Sequence, residues 1–276
     1  MTSAWELAEC SGLPQRSQLA RSRCCQTRGF GPQGLRPVDS PRRELKVVQR
    51  RIADLLCRVT PPDFLFCPVK RRSSINNAEQ HRGGRVVHSL DVKKYFPSTP
   101  SRRVYWYFHR VLGCSKDVAA VLRKIACDDY LPTGSPLSPI MAYYAHVDIW
   151  AKVARIAWEH GCVITIYIDD VTLSGAKVPM TLVWEIKQII HGGGLRYHKE
   201  KRAVERGSEV TGVVLRKGEM LPTNRHRNKL RKLKQAEDRE RRPRMNKSLM
   251  GQLAGMKRHV AQLASANVRD PKAGAA

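Results

Sequence analysis

Ile164-Thr165-Ile166-Tyr167-Ile168-Asp169-Asp170-Val171-Thr172-Leu173-Ser174-Gly175 carries two adjacent carboxylates inside an apolar alternation. Ile164, Ile166 and Ile168 recur at the two-residue step of a strand, Val171 and Leu173 resume it, and Ser174-Gly175 closes it. The stretch therefore predicts a β-hairpin with Asp169 and Asp170 at its tip. Acidic side chains are depleted from strands and costly beside apolar neighbours, so their presence asks for a cause. A divalent cation is one. Mg²⁺ takes hard oxygen ligands, keeps several waters, and is held by one or two carboxylates together with substrate phosphates. An ordinary exposed Asp-Asp turn is the plain alternative.

Residues 86–96, reading V-V-H-S-L-D-V-K-K-Y-F, predict a second apolar strand whose end carries Asp91, followed by Tyr95 and Phe96. Carboxylates that converge from different strands on two ions about 3.5–4 Å apart can serve phosphoryl transfer, one ion at the attacking oxygen and one at the leaving oxygen. Asp91, Asp169 and Asp170 would supply that set. Residues 131–139, L-P-T-G-S-P-L-S-P, form a loop that opens a helical pattern over 140–158. A loop entering a helix is a natural rest for phosphate.

In this order the three stretches resemble motifs A, B and C of reverse transcriptases: Asp91 with Phe96 for A, residues 131–139 for B, and Tyr167-Ile168-Asp169-Asp170 for C. Asn77-Ala78-Glu79-Gln80-His81 resembles the N-A-x-x-H motif of retron reverse transcriptases, and Val210-Thr211-Gly212 resembles their V-T-G triplet. Over roughly residues 34–263 the chain thus resembles a bacterial retron-type reverse transcriptase. The resemblance implies an α+β right-hand polymerase with fingers, a palm of antiparallel sheet backed by helices, and a small helical thumb. It implies RNA-directed DNA synthesis, in which a 3′-hydroxyl attacks the α-phosphate of a deoxynucleoside triphosphate with two Mg²⁺ ions held by Asp91, Val92, Asp169 and Asp170.

Further site residues follow from the same resemblance. Residues 195–201 are similar to motif D and nominate Lys201 as a general acid near the leaving pyrophosphate, with a solvated lysine as the alternative. Phe96 stands at the steric gate that crowds a ribose 2′-hydroxyl; core packing is the other reading. Residues 34–41 resemble the second strand of the fingers hairpin and nominate Arg36 for the triphosphate, with Arg28 as its companion. Thr133 stands where motif B has glutamine and Leu137 where it has threonine, so Thr133 and Gly134 are expected to contact nucleotide with a shorter reach and altered handling. Asn77 and His81, four residues apart, share a helix face and serve either structural hydrogen bonding or RNA contact.

The family's partners are a structured noncoding RNA that is both template and primer, its DNA product, and a separate effector protein, in defence against phage in the bacterial cytoplasm. Another bacterial reverse transcriptase lineage, group II intron-like or abortive-infection type, is the near alternative. A non-catalytic RNA-binding scaffold is the distant one, though three carboxylates without a cation would repel one another.

Composition agrees with a polyanionic partner. The 276 residues hold 50 Lys and Arg against 24 Asp and Glu, a formal charge of +26, and such a chain repels itself unless a polyanion is present. No apolar run is long enough to span a bilayer, so no membrane partner is expected. Cysteines show no C-x-x-C spacing, and Cys57, Cys127 and Cys162 read as buried thiols.

The chain divides into a weakly patterned segment 1–33, fingers 34–85, palm 86–222 with helices over 102–112 and 116–126, a basic thumb 223–263, and a loose tail 264–276. A helix with Leu45, Val48, Ile52, Leu55 and Leu56 inward is expected from Arg42, ended by Pro61-Pro62. Asp128-Asp129 reads as a surface turn without flanking strands, residues 181–190 as a helix, and 210–215 as one strand. In the thumb Arg225, Arg227, Lys229, Arg231, Lys232 and Lys234 are the candidates for RNA backbone, and Asn246 for the cap of a last helix bearing Leu249, Leu253, Met256, Val260 and Leu263.

Overall fold

The computed structural model describes residues 26–27, 36–37, 39–127, 129–205, 207–239 and 247–268, with backbone alone at 26, 27, 36, 37, 238, 239 and 247–249. In chain order the elements are β1 (Gln26–Thr27), β2 (Arg36–Pro37), α1 (Arg43–Leu56), β3 (Leu65–Cys67), α2 (Ser74–Glu79), β4 (Val86–Val92) and α3 (Ser101–Trp106). A π-helical turn, Tyr107–Val111, continues α3, and α4 (Lys116–Arg123), α5 (Ser138–Ala145), α6 (Val147–Glu159), β5 (Val163–Tyr167) and β6 (Asp170–Gly175) follow. The chain ends with α7 (Met180–Gly192), β7 (Tyr197–Val204), β8 (Ser208–Val210), β9 (Val213–Arg216), β10 (Glu219–Pro222), α8 (Asn224–Arg239) and α9 (Lys247–Val268). Two interleaved units result, one of Met1–Pro61, Lys94–Trp150 and Gly193–Leu195, the other of Pro62–Lys93, Ala151–Gly192 and Arg196–Ala276. The consecutive division read from sequence runs along the chain; these units cross it.

In the first unit β1 and β2 pair antiparallel, with Thr27 opposite Arg36. Helix α1 forms where the periodicity places it but presents a different face: Val48 and Leu55 are exposed, while Gln49 is fully buried. Its Nε2 donates to the Ile125 carbonyl at 2.9 Å, which satisfies the amide donor, while Oε1 has no hydrogen-bond partner among the described residues. Cys57, expected inside, is likewise exposed. Gly113 takes φ +70° between the π turn and α4, and the Ser115 hydroxyl caps α4 by accepting from the Val118 amide.

The single helix expected over 140–158 is two. His146 leaves helical geometry at φ −124°; the Ile149 and Trp150 amides then donate to the His146 carbonyl, and the freed Ala145 carbonyl accepts from Arg103 Nε at 2.7 Å. Trp150 Nε1 donates to the Tyr95 hydroxyl at 3.0 Å, and Tyr107 stacks on Tyr144 with centroids 5.0 Å apart. Asp129 lies in a turn at φ +65°, and its carboxylate accepts from Ser101 and Arg123. Asp128 is outside the described residues.

The second unit is built on a five-stranded sheet in the order β3-β5-β6-β4-β7. It is mixed rather than antiparallel throughout, because β3 pairs with β5 in parallel. The hairpin of β5 and β6 is buried on both faces: Ile164, Ile166, Val171 and Leu173 on one, Thr165, Thr172 and Ser174 on the other. The hydroxyls are matched by buried imidazole. His81 lies 2.7 Å from both Ser174 Oγ and Thr165 Oγ1, and burial pushes its pKa down to about 3.

Strands β8, β9 and β10 form a separate antiparallel meander. The single strand expected over 210–215 is broken by a turn at Thr211 and Gly212, with φ of 45° and 81°. The Thr211 hydroxyl donates to the Ser74 carbonyl at 2.9 Å and accepts from Asn77 Nδ2 at 3.3 Å. Residues 264–268, expected to be tail, continue α9: Ala266 is buried, and the Asn267 side chain bonds both the amide and the carbonyl of Met220 at 2.8 and 3.0 Å. No helix among the described residues is long and apolar enough to cross a membrane.

Candidate active site

The carboxylates meet through strand register. In the β4–β6 ladder Asp91 is paired directly with Asp170, and paired residues project to the same face of a sheet. The hairpin turn supplies the third carboxylate. Tyr167 pairs with Asp170, leaving Ile168 and Asp169 as the two turn residues, and the Asp169 carbonyl accepts from the Val92 amide at 2.8 Å. Ile168 is therefore not on the strand face with Ile164 and Ile166; it sits in the turn at φ +58°. Val92, also nominated as a ligand, ends β4 with its side chain buried.

Burial, and then the Asp169 and Asp91 carboxylates, push the pKa of Asp170 up to about 6, against the opposite pull of Lys201 and Lys199. A site that disfavours its own negative charge gains when a cation enters. Among the described residues no three His, Cys, Asp or Glu side chains form a ready-made cage. Carboxylates from a strand pair and from the turn beside it are hard oxygen donors, the chemistry that suits an ion such as Mg²⁺ completed by water and phosphate oxygens.

Strand β7 flanks the carboxylates on the far side of β4. Lys199 is paired with Asp91 and Lys201 with Ser89, so both lysines share the face of Asp91 and Asp170. A register shift between Asp91 and Val92 makes His198 an extra residue, and its Nδ1 lies 3.4 Å from Asp91 Oδ1. Bulges beside active sites re-aim side chains in this way. Sequence reading singled out Lys201 alone. The alternation Lys199-Glu200-Lys201, which puts two cations on one face and an acid on the other, was the available signal for the rest.

Asn77 and His81 do not reach solvent: both are buried and held by Thr211, Ser174 and Thr165 as above. Of their two readings, structural hydrogen bonding or RNA contact, the hydrogen bonds are what this geometry supplies. It also gives the N-A-x-x-H and V-T-G signatures one physical meaning, since Asn77 and Thr211 bond each other. By contrast Arg225, Arg227, Lys229, Arg231, Lys232 and Lys234 on α8 are all exposed.

Phe96, Thr133 and Gly134 belong to the other unit. Phe96 is half-buried, with its ring 6.0 Å from that of Tyr95. The Thr133 hydroxyl accepts from the Asp39 amide at 3.2 Å, the Gly134 amide donates to the Asp39 carbonyl at 2.9 Å, and the Tyr130 hydroxyl donates to the Asp39 carboxylate at 2.9 Å. The loop over 131–139 is thereby tied to the chain just beyond β2. The Arg36 side chain, Arg28 and Asn246 lie outside the described residues.

No protein-family model matches the chain. It is 30% identical over 188 residues to the retron Ec86 reverse transcriptase of Escherichia coli, covering 66% of this chain and 58% of that protein. It is also 30% identical over 211 residues to the retron Mx65 reverse transcriptase of Myxococcus xanthus, covering 66% and 48%. The chain spans about half the length of the curated relatives it matches. Among solved structures, a foamy viral protease-reverse transcriptase in complex with double-stranded DNA is similar at a TM-score of 0.50 and 14% identity, over 83% of this chain and 34% of that one; at that identity the likeness is one of fold. By sequence the chain is a relative of the retron reverse transcriptases.

Proposed function

We propose, from that relationship, that the chain is an RNA-directed DNA polymerase of the retron type. A structured noncoding RNA is its template and primer, deoxynucleoside triphosphates are its substrates, and phage defence with a separate effector protein is the wider role. The observation that carries this reading is the register pairing of Asp91 with Asp170, with Asp169 in the turn beside them. In this reading residues 34–85 are the fingers, 86–222 the palm, and 223–263, on α8 and α9, the thumb.

Asp91 and Asp169, assisted by Asp170, would hold two Mg²⁺ ions. When bound, the ions supply polarisation of the attacking hydroxyl and neutralisation of the departing phosphates. The chain's own part is positioning and charge. Lys199 and Lys201 face the carboxylates and offer cations, and Lys201 a proton, to the leaving pyrophosphate. Phe96 crowds the sugar. Thr133 braces the loop to Asp39, and Gly134 allows the backbone to approach the nucleotide. The exposed bases of α8 hold duplex backbone, with shape and phosphate spacing read more than base edges.

The test is expression of the chain with its flanking noncoding DNA, followed by extraction of nucleic acid from the wild type, Asp169→Asn and Asp170→Asn. A short RNA-linked DNA is expected with the wild type alone. Bound RNA without DNA in every sample would replace this reading by that of an RNA-binding scaffold. Phe96→Ala is expected to admit ribonucleotides with activity retained, read from paired single-nucleotide additions; unchanged sugar discrimination returns Phe96 to a packing role.

A further inference from the structure

Strand β7 is an edge strand with no buried apolar side chain to hold its register. Among the described residues it pairs with β4 alone, and none of its eight residues is buried. A strand that is polar on both faces is prone to slip, and a slip of one residue sends every side chain to the opposite face. Such a slip would carry Lys199 and Lys201 away from the carboxylates.

Glu200 sits between those lysines and points the other way, to the side of the sheet that carries His88. The His88 ring is 1% exposed, with Nε2 in close approach to Glu200 Oε1 at 2.9 Å, and neither ring nitrogen makes a hydrogen bond of good geometry among the described residues. The second carboxylate oxygen, Oε2, accepts from Lys187 Nζ on α7 at 2.6 Å. Lys187 is held in turn by the Tyr197 ring, 4.8 Å from its ammonium, and that ring stacks on His191 at 5.4 Å. The hydrogen bond from Lys187 holds the Glu200 carboxyl below its ordinary pKa. One carboxylate therefore joins β7, β4 and α7.

The spacing Lys199-Glu200-Lys201 also penalises both wrong registers. A one-residue slip in either direction puts a lysine in place of Glu200, against a buried imidazole and the Lys187 ammonium. The displaced lysine and Lys187 would then repel each other as two ammonium groups, with the carboxylate between them gone. The geometry points to Glu200 as a positioning residue: clamped between His88 and Lys187, it locks β7 in the register that turns Lys199 and Lys201 toward the edge bearing Asp91 and Asp170. The lysines' role in synthesis rests on the function proposed above; the lock itself does not.

Two measurements on the full chain separate these. Hydrogen exchange of the segment 197–204 is expected to speed up about tenfold or more in Glu200→Ala, with β5 and β6 unchanged. Unchanged protection of β7 overturns the lock. Single-nucleotide addition on primed RNA is expected to lose about tenfold or more in kcat, as for a catalytic group displaced by about an ångström, with KM for template within about twofold. In a Lys199→Ala/Lys201→Ala background, adding Glu200→Ala should change kcat by less than about twofold, because the residues it positions are gone. A full further loss there overturns the positioning role.

The charge-exchanged pair Lys187→Glu/Glu200→Lys is expected to recover less than half of either loss, since the ammonium brought in at position 200 would meet the buried ring of His88 where a carboxylate stood; full recovery would mean that only the ion pair with α7 matters and overturns the part given to His88. Should Glu200→Ala fail to fold, the near-isosteric Glu200→Gln is expected to show the same direction at smaller size. If the double lysine variant keeps wild-type kcat, the catalytic reading of the lysines fails, and exchange alone still decides the lock.

Discussion

Ile168 is the residue at which alternation and structure part. A β-branched side chain at positive φ is rare, because its Cβ crowds the carbonyl oxygen, and a two-residue turn without Gly or Asn gives a sequence reader no warning of it. Such strain is stored where the surrounding structure over-determines it, often at functional sites. Ile168→Asn, which accepts that conformation more readily, is expected to raise stability by about 1 kcal/mol in urea unfolding, at some cost in the hold on Asp169 and Asp170. His81 makes the second residue-scale prediction. Its folded pKa of about 3 lies below the unfolded value of about 6.5, so as pH falls the unfolded chain takes the proton first. The stability from a neutral His81 is complete above about pH 6.5 and declines toward pH 3, by about 2 kcal/mol between pH 7 and 5. Urea unfolding at both values should show this excess loss in the wild type and not in His81→Gln.

At the scale of elements, the hairpin, Asp91 at its strand end and the cap of α4 by Ser115 were legible, because each is written in local spacing. The face of α1 was not: a buried glutamine with a carbonyl partner 76 residues away looks polar to any periodicity. Nor was the break at His146, which needs Arg103 to take up the freed carbonyl. The connection into β4 depends on a close approach that composition hides. A Cβ on Gly84 would lie 2.7 Å from Ser174 Cβ and 3.2 Å from its Oγ, the oxygen that His81 bonds. Gly84→Ala is expected to cost about 1–3 kcal/mol as overpacking does, seen as a lower melting temperature. The end of α9 carries a similar long-range tie. Asn267→Ala, which strips both bonds from Met220, is expected to cost about 1–3 kcal/mol by the same assay.

For the whole molecule, the charge of +26 already pointed to a polyanion, and the exposure of all six candidate bases on α8 agrees with that. Each of them that meets a phosphate should lower the slope of log affinity against log salt by about 0.7–0.9 when changed to Gln; RNA binding at several salt concentrations reads this directly, and an unchanged slope removes that residue from the interface. What no local pattern could announce is the threading. The chain passes between its two units after Pro61, Lys93, Trp150, Gly192 and Leu195, so neither unit is a continuous stretch. Every exchange of genetic material with a single breakpoint between residues 61 and 196 would divide at least one of them between two parents. This part of the protein is therefore expected to be inherited as a block, with mosaic variants recovered only where the junction falls outside it.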